Sequence, residues 1–233
     1  MDLTQINKLT IGEIVANDFR ASTIFKNVGI DFCCGGNQKV TEACNEKGIN
    51  KEKLISELKN LEQEPPNHSV NYNEWEIGFL CDYIVNTHHM FVTKNLPELV
   101  FNTGKIAMVH GDHHPELIEV ATLFKTINEE LIPHMKNEEE ILFPAIKEVS
   151  HSGSPTQKKI IAQEINRMLG EHDLAGKAMD EINQITKSYH VPQDGCATYQ
   201  VTFKQLQQFE DDLHVHIHLE NNILFPKALA LSE

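Results

Sequence analysis

The stretch His134-Met135-Lys136-Asn137-Glu138-Glu139-Glu140-Ile141-Leu142-Phe143-Pro144 returns near the end of the chain as His216-Ile217-His218-Leu219-Glu220-Asn221-Asn222-Ile223-Leu224-Phe225-Pro226. His, Glu, Ile, Leu, Phe and Pro recur in register, with the same spacing from His to Glu, which marks an internal repeat of helix hairpins. Residues i and i+4 stand one above the other on a helix, so each His–Glu pair aims an imidazole and a carboxylate the same way. On a wheel with His216 at zero and ~100° per residue, Phe209, Leu213, Ile217, Leu224 and Glu220 share one sector, and His214 and His218 lie on the far face. Ile127, Leu131 and Leu142 likewise share the sector of His134 and Glu138, whereas Glu139 and Glu140 do not. Each His–Glu pair therefore faces a core. Buried carboxylates and imidazoles are costly unless paired or metal-bound. A hydrogen-bonded polar network is the alternative, and two such pairs meeting in one bundle favour metal.

Working outward from the repeat, the rest of the bundle reads as helix. Glu74 to about Val109 is periodic, with Pro97 as a kink. Pro115 starts a helix that runs to about Val149. Ser150 to Pro155 forms a loop with Ser154 as cap, a third helix reaches about Tyr189, and a fourth ends near Leu231. Four long helices with short connections predict an all-α, up-down-up-down four-helix bundle over residues 73–233. Val/Ile/Thr-rich alternating runs are missing, so sheet is not expected. Residues 63–72 hold Pro65-Pro66 among polar residues and read as a linker. Residues 1–62 predict a small helical N-terminal domain, interrupted at Gly29 to Gly36, with Gly48 ending one helix and Asn50 capping the next.

Composition narrows the function. The 233 residues carry 20 Lys+Arg against 34 Asp+Glu, a net charge of -14 that repels nucleic acid and anionic lipid. No apolar run is long enough to span a membrane, and Met1 to Thr10 has no signal-peptide core, so a cytoplasmic protein is expected. Five cysteines, with Cys33 and Cys34 adjacent, suit reduced thiols better than a disulfide framework. Cys44, Cys81 and Cys196 read as ordinary, partly buried thiols. Thirteen histidines beside one Trp make metal the leading question.

A pair of metals needs more donors than two His–Glu pairs supply. On the first bundle helix the candidates are His88, His89 and His110. The wheel favours His89 over His88, because Val85, Val92 and Leu96 flank it at helical spacing. His110 competes with His113 and His114, one turn away. On the third helix the candidate is His172. The expected ligand set is thus His89, His110, His134, Glu138, His172, His216 and Glu220. Two six-coordinate ions need about twelve bonds; five imidazoles, two bridging carboxylates and an oxo or hydroxo bridge leave about one position open. Nitrogen-and-oxygen donors with bridging carboxylates suit two iron ions better than zinc, with manganese left open.

These residues resemble the haemerythrin-like family, whose bundles hold a di-iron centre through His-x-x-x-Glu motifs. Asp31-Phe32-Cys33-Cys34-Gly35-Gly36 resembles the signature of the N-terminal domain of the repair-of-iron-centres proteins. Leu96-Pro97-Glu98-Leu99 and Glu171-His172-Asp173 fit as well, and the likeness spans essentially the whole chain. It implies a bacterial di-iron protein that repairs iron–sulfur clusters damaged by nitrosative or oxidative stress, by donating iron to the damaged proteins. Glu130, one turn before His134, and Glu171, beside His172, look like outer carboxylates that shape proton or iron movement, with a plain surface acid an equal reading for Glu171. Cys33 and Cys34 either pass iron on or simply pack in a turn. A di-iron enzyme that reduces nitric oxide or peroxide is the alternative function, and carriage or sensing of dioxygen is a third that the cysteine domain disfavours. A homodimer is compatible with either of the first two.

Overall fold

The computed structural model of the protein describes residue 6, residues 8–63 and residues 70–231. The prolines of the expected linker, Pro65 and Pro66, lie outside the described residues. Four short helices come first: α1 (Ile11–Asn17), α2 (Ala21–Asn27), α3 (Val40–Lys47) and α4 (Lys51–Gln63). Thr10 and Glu13 cap α1 reciprocally, each side chain accepting the other's backbone N–H, at 3.2 and 2.8 Å. Gly48 ends α3 in the left-handed conformation at φ 65°, and the Asn50 side chain accepts from the Lys53 N–H at 2.9 Å, as the sequence anticipates. No strand forms among the described residues; Thr10 and Lys39 make one isolated bridge.

Four long helices follow: α5 (residues 77–110), α6 (residues 116–152), α7 (Pro155–Ile185) and α8 (residues 197–230). Each packs on the next in sequence, and α8 closes the ring against α5, which is the up-down-up-down arrangement. The α6–α7 connection is tighter than the sequence suggests. Helix α6 runs on to Ser152, Gly153 turns the chain at φ 63°, and Ser154 makes no side-chain cap bond. Helix α7 stops at Ile185, before Lys187, Ser188 and Tyr189 adopt positive φ.

Three of the long helices each contain one wide π turn, at Val85–His89, Glu138–Leu142 and Glu220–Leu224. In the last two, the N–H of Phe143 and of Phe225 reaches back five residues, to the carbonyls of Glu138 and Glu220. Pro144 and Pro226 come next and lack the N–H that an α turn requires, so the repeated Phe-Pro marks where the ladder is opened. The first π turn has no such proline.

The apolar interior is divided. One cluster joins Phe124, Leu131, Phe209 and Leu213 of the bundle with Ile11, Phe25 and Phe32 of the short helices and their turns. A second, at the other end, gathers Leu80, Ile84, Leu142, Phe143, Leu224 and Phe225. Buried His and Glu side chains occupy the level between them.

Candidate metal centre

The wide turns put the functional side chains at that level. Six residues are buried together: His89 on α5, His134 and Glu138 on α6, His172 on α7, and His216 and Glu220 on α8. They form two overlapping groups whose donor atoms lie within 4.8 Å of one another: His89, Glu138, His216 and Glu220, and His134, Glu138, His172 and Glu220. Both carboxylates belong to both groups.

The Nε2 atoms point inward. His134 and His89 approach Glu138 Oε2 at 3.3 and 3.4 Å, while His172 and His216 approach Glu220 at 3.1 Å each. Yet the carboxylate oxygens of Glu138 and Glu220, and Nε2 of His89 and His216, have no hydrogen-bond partner. Buried polar atoms in native proteins are almost always satisfied. Donors this close and not aligned on one another converge on shared points instead, which fits a metal ion between them.

The outer nitrogens explain how the rings are held. His89 Nδ1 meets Glu139 Oε1 at 2.8 Å, His134 Nδ1 meets Glu171 Oε2 at 2.7 Å, and His172 Nδ1 meets Asn221 Oδ1 at 2.7 Å. A proton on Nδ1 turned to such an acceptor leaves the Nε2 lone pair for a metal. His216 is the exception, for its Nδ1 is buried without a partner. Its ring stacks on that of His88, 5.7 Å away, and His88 Nδ1 pairs with Asp212 at 3.0 Å.

Charge at the centre is balanced tightly. Burial raises Glu138 and Glu220, but the imidazoles of His134 and His89, and of His216 and His172, hold both carboxyls below the ordinary range. Burial lowers His134, yet the carboxylates of Glu138 and Glu171 overcome it and bring it to about 10. Burial wins at His216, which falls. A metal cation bound here would supply, in place of those imidazole protons, the positive charge that two fully buried carboxylates require.

One expected ligand, His110, and one expected outer carboxylate, Glu130, lie elsewhere. His110 is 21 residues past His89 on one helix, roughly 30 Å along its axis; its Nε2 sits 3.2 Å from Cys196 Sγ. The sequence placed it by donor counting, and helix length moves it to the other end of the bundle. Glu130 is exposed, because Ile127 and Leu131 occupy the inner face of that turn. Glu171 does meet His134. Missed altogether were Glu139 and Asn221, the residues that follow Glu138 and Glu220 in the two halves of the repeat. A uniform wheel turns them away, and the π turn brings them back. His214 and His218 do lie on the far face of α8, but that face is covered: Phe32 packs on both rings at 6.1 and 5.8 Å.

The Asp31-to-Gly36 turn docks on this centre from outside. Asp31 gathers the turn, accepting the backbone N–H of Cys33, Cys34 and Gly35 at 2.8, 3.1 and 2.8 Å. Cys34 Sγ donates to the carbonyl of His172 at 3.4 Å. Asn222, inside the third π turn, donates to the carbonyls of Phe32 and Cys33 at 3.2 and 3.0 Å. The Cys33 thiol is pushed up by its hydrogen bond to Cys34, by burial and by Asp31. All five cysteines are free; Cys44 and Cys81 are buried and Cys196 is exposed.

The arrangement has relatives. Residues 83–228 match the haemerythrin HHE cation-binding domain, and residues 7–62 match the ScdA N-terminal domain, a domain of unknown function (DUF542). The chain is 34% identical over 220 residues to the iron-sulfur cluster repair protein YtfE of Enterobacter sp. (strain 638), covering 94% of this chain and 96% of that one. The chain belongs to this family. A second member, the iron-sulfur cluster repair protein ScdA of Staphylococcus haemolyticus, is 31% identical over 224 residues, covering 95% of this chain and 98% of its own. The YtfE protein of Yersinia pseudotuberculosis serotype O:1b is 35% identical over 210 residues, 90% of this chain and 91% of that one. The family's two domains thus occur here in the order the cysteine turn and the repeat imply. Among the described residues no helix is long and apolar enough to cross a membrane.

Proposed function

We propose that the protein repairs damaged iron–sulfur clusters in the cytoplasm, under nitrosative or oxidative stress, by giving up iron from a dinuclear centre. The observation that carries this reading is the pair of overlapping donor groups sharing Glu138 and Glu220. Each group offers one ion two imidazoles, and both carboxylates can serve two ions. Four imidazoles and two bridging carboxylates, with an oxo or hydroxo bridge, leave about one position open on each of two six-coordinate ions. Iron so held is redox-active and accessible to a small molecule such as nitric oxide or dioxygen.

The chain's own groups do the rest. Glu139, Glu171 and Asn221 fix three rings for binding, and Glu171, half-buried beside Arg167, stands where a proton or a departing cation can pass. His216 has no outer acceptor, so its ring is the one that neighbouring groups orient least firmly. An iron donor needs such an arm. The names of the relatives support the repair reading, and the docked cysteine turn supports a recipient that is a protein rather than dissolved gas alone.

The test begins with metal content and an optical spectrum of the purified protein. About two irons per chain with near-ultraviolet oxo-to-iron absorption are expected, and full activity with zinc alone would overturn the reading. The iron-loaded protein is then mixed with an iron-depleted cluster enzyme, and separately with nitric oxide plus a reductant. Recovery of the cluster with matching loss of iron supports donation. Turnover of nitric oxide without iron loss assigns the protein instead to the enzymes.

A further inference from the structure

A second cluster of donors lies outside the centre. The cysteine turn, α7 and α8 enclose a cavity of about 430 Å³. Its bundle wall carries Asp180, Glu210 and His214, whose donor atoms all lie within 4.8 Å of one another. Glu210 and His214 are i and i+4 on α8, the spacing of the repeat in reverse order, on the face opposite His216 and Glu220. One helix thus presents His–Glu pairs to both sides.

The details of this cluster point to a ligand. Glu210 is 2% exposed, and Asn183 on α7 donates to its two oxygens at 3.0 and 3.1 Å, which fixes the carboxylate plane. His214 Nδ1 is buried without a hydrogen-bond partner. Asp180 is exposed at the cavity wall, leaving solvent-side positions open. The Lys26 ammonium competes from 3.6 Å, but it is bonded to Asp211 and offsets only part of the charge of two carboxylates. Opposite stands a separate donor group, Asp31, Cys33 and Cys34.

We propose that His214, Glu210 and Asp180 form a second, mononuclear site for a divalent first-row transition-metal ion. One imidazole and two carboxylates with open positions suit ferrous iron or manganese, and the absence of sulfur from the triad disfavours copper(I) and structural zinc. The site sits beside the cysteine turn, where a metal can be parked outside the dinuclear centre. It stands on its own geometry and does not depend on the repair reading.

The experiment is an anaerobic titration of the full-length, iron-loaded protein with cobalt(II), followed by visible absorption and by iron analysis. One cobalt beyond the resident irons is expected, with unchanged iron content and weak visible bands free of thiolate charge transfer. His214→Ala should weaken cobalt binding by more than ~100-fold, beyond the 10–100-fold that loss of an outer partner costs. Asp180→Asn is at an exposed position, keeps the fold, and should weaken it by roughly tenfold or more. If His214→Ala fails to retain its irons, Asp180→Asn decides alone. No cobalt beyond the irons would overturn the proposal, as would equal affinity in Asp180→Asn. A strong thiolate band that disappears in Cys33→Ser/Cys34→Ser would also overturn it, because the metal would then belong to the other wall.

Discussion

His110 shows what residue types alone can and cannot settle. Six of the seven expected ligands meet in one buried cluster, because each announces itself locally: four as the two His–Glu pairs at i and i+4, His89 through apolar neighbours at helical spacing, and His172 as the histidine of the third helix. His110 enters the set only to complete a coordination count, and a count carries no position. Where it lies, it changes a neighbour. Cys196, read as an ordinary thiol, is exposed, and its hydrogen bond from His110 brings its pKa down to about 7. As pH rises through 7 the thiolate, the nucleophilic form, accumulates at Cys196 before it does at the buried Cys33 and Cys81. Iodoacetamide at pH 7 should therefore modify Cys196 first. His110→Ala should slow that reaction by roughly tenfold as the thiol returns toward its usual range, and should leave metal content unchanged. Loss of iron in His110→Ala would restore it to the centre; an unaltered alkylation rate would remove the thiolate argument.

At the scale of elements, the repeat made the four helices legible, and uniform helical geometry hid the rest. A π turn inserts a residue into the ladder, so every position beyond it is rotated from where a 3.6-residue wheel places it. That is why Glu139 and Asn221 escaped notice, and why Asn222, two residues past Glu220, faces the cysteine turn. The same contact gives two glycines a reason, Gly36 of that turn and Gly12 of α1. A Cβ on Gly36 would stand 2.4 Å from Asn222 Oδ1, and one on Gly12 2.2 Å from it. Only glycine lets the two segments approach this closely. Gly36→Ala should cost about 1–3 kcal/mol, as overpacking does. Asn222→Ala also destabilises, by freeing the Phe32 and Cys33 carbonyls. In the double variant the clash has no partner, so the losses should fall short of additive by ~0.5 kcal/mol or more in a denaturation cycle. Strict additivity would mean that the two residues do not touch in solution.

The whole molecule divides less cleanly than its sequence. Composition and Pro65-Pro66 suggest two parts, a small helical domain and a bundle, and the six clustered donors do all lie beyond the expected linker. The packing, however, crosses that boundary. Phe25 and Phe32 share an apolar cluster with Phe209 and Leu213, and Phe19 and Phe32 lie against His218, which is fully buried. A chain beginning at Asn71 would strip this cover from α8, exposing His214, His218 and the carbonyl of His172 that Cys34 meets. Such a chain should still bind its irons, since α5 to α8 close their own ring around the donors. It should also melt at least ~5 °C lower than the full protein, because each kcal/mol lost is worth ~2–4 °C at this size. Its cluster repair should fall further than its iron content if the cysteine turn takes part in transfer, and Cys33→Ser/Cys34→Ser in the full chain separates that role from stability. Iron analysis, thermal melting and a repair assay on the three proteins decide the matter. An Asn71 chain that melts with the full protein would make the shared cluster energetically idle. One that cannot hold iron would make the short helices part of the metal centre's support, which the ring of α5 to α8 does not require.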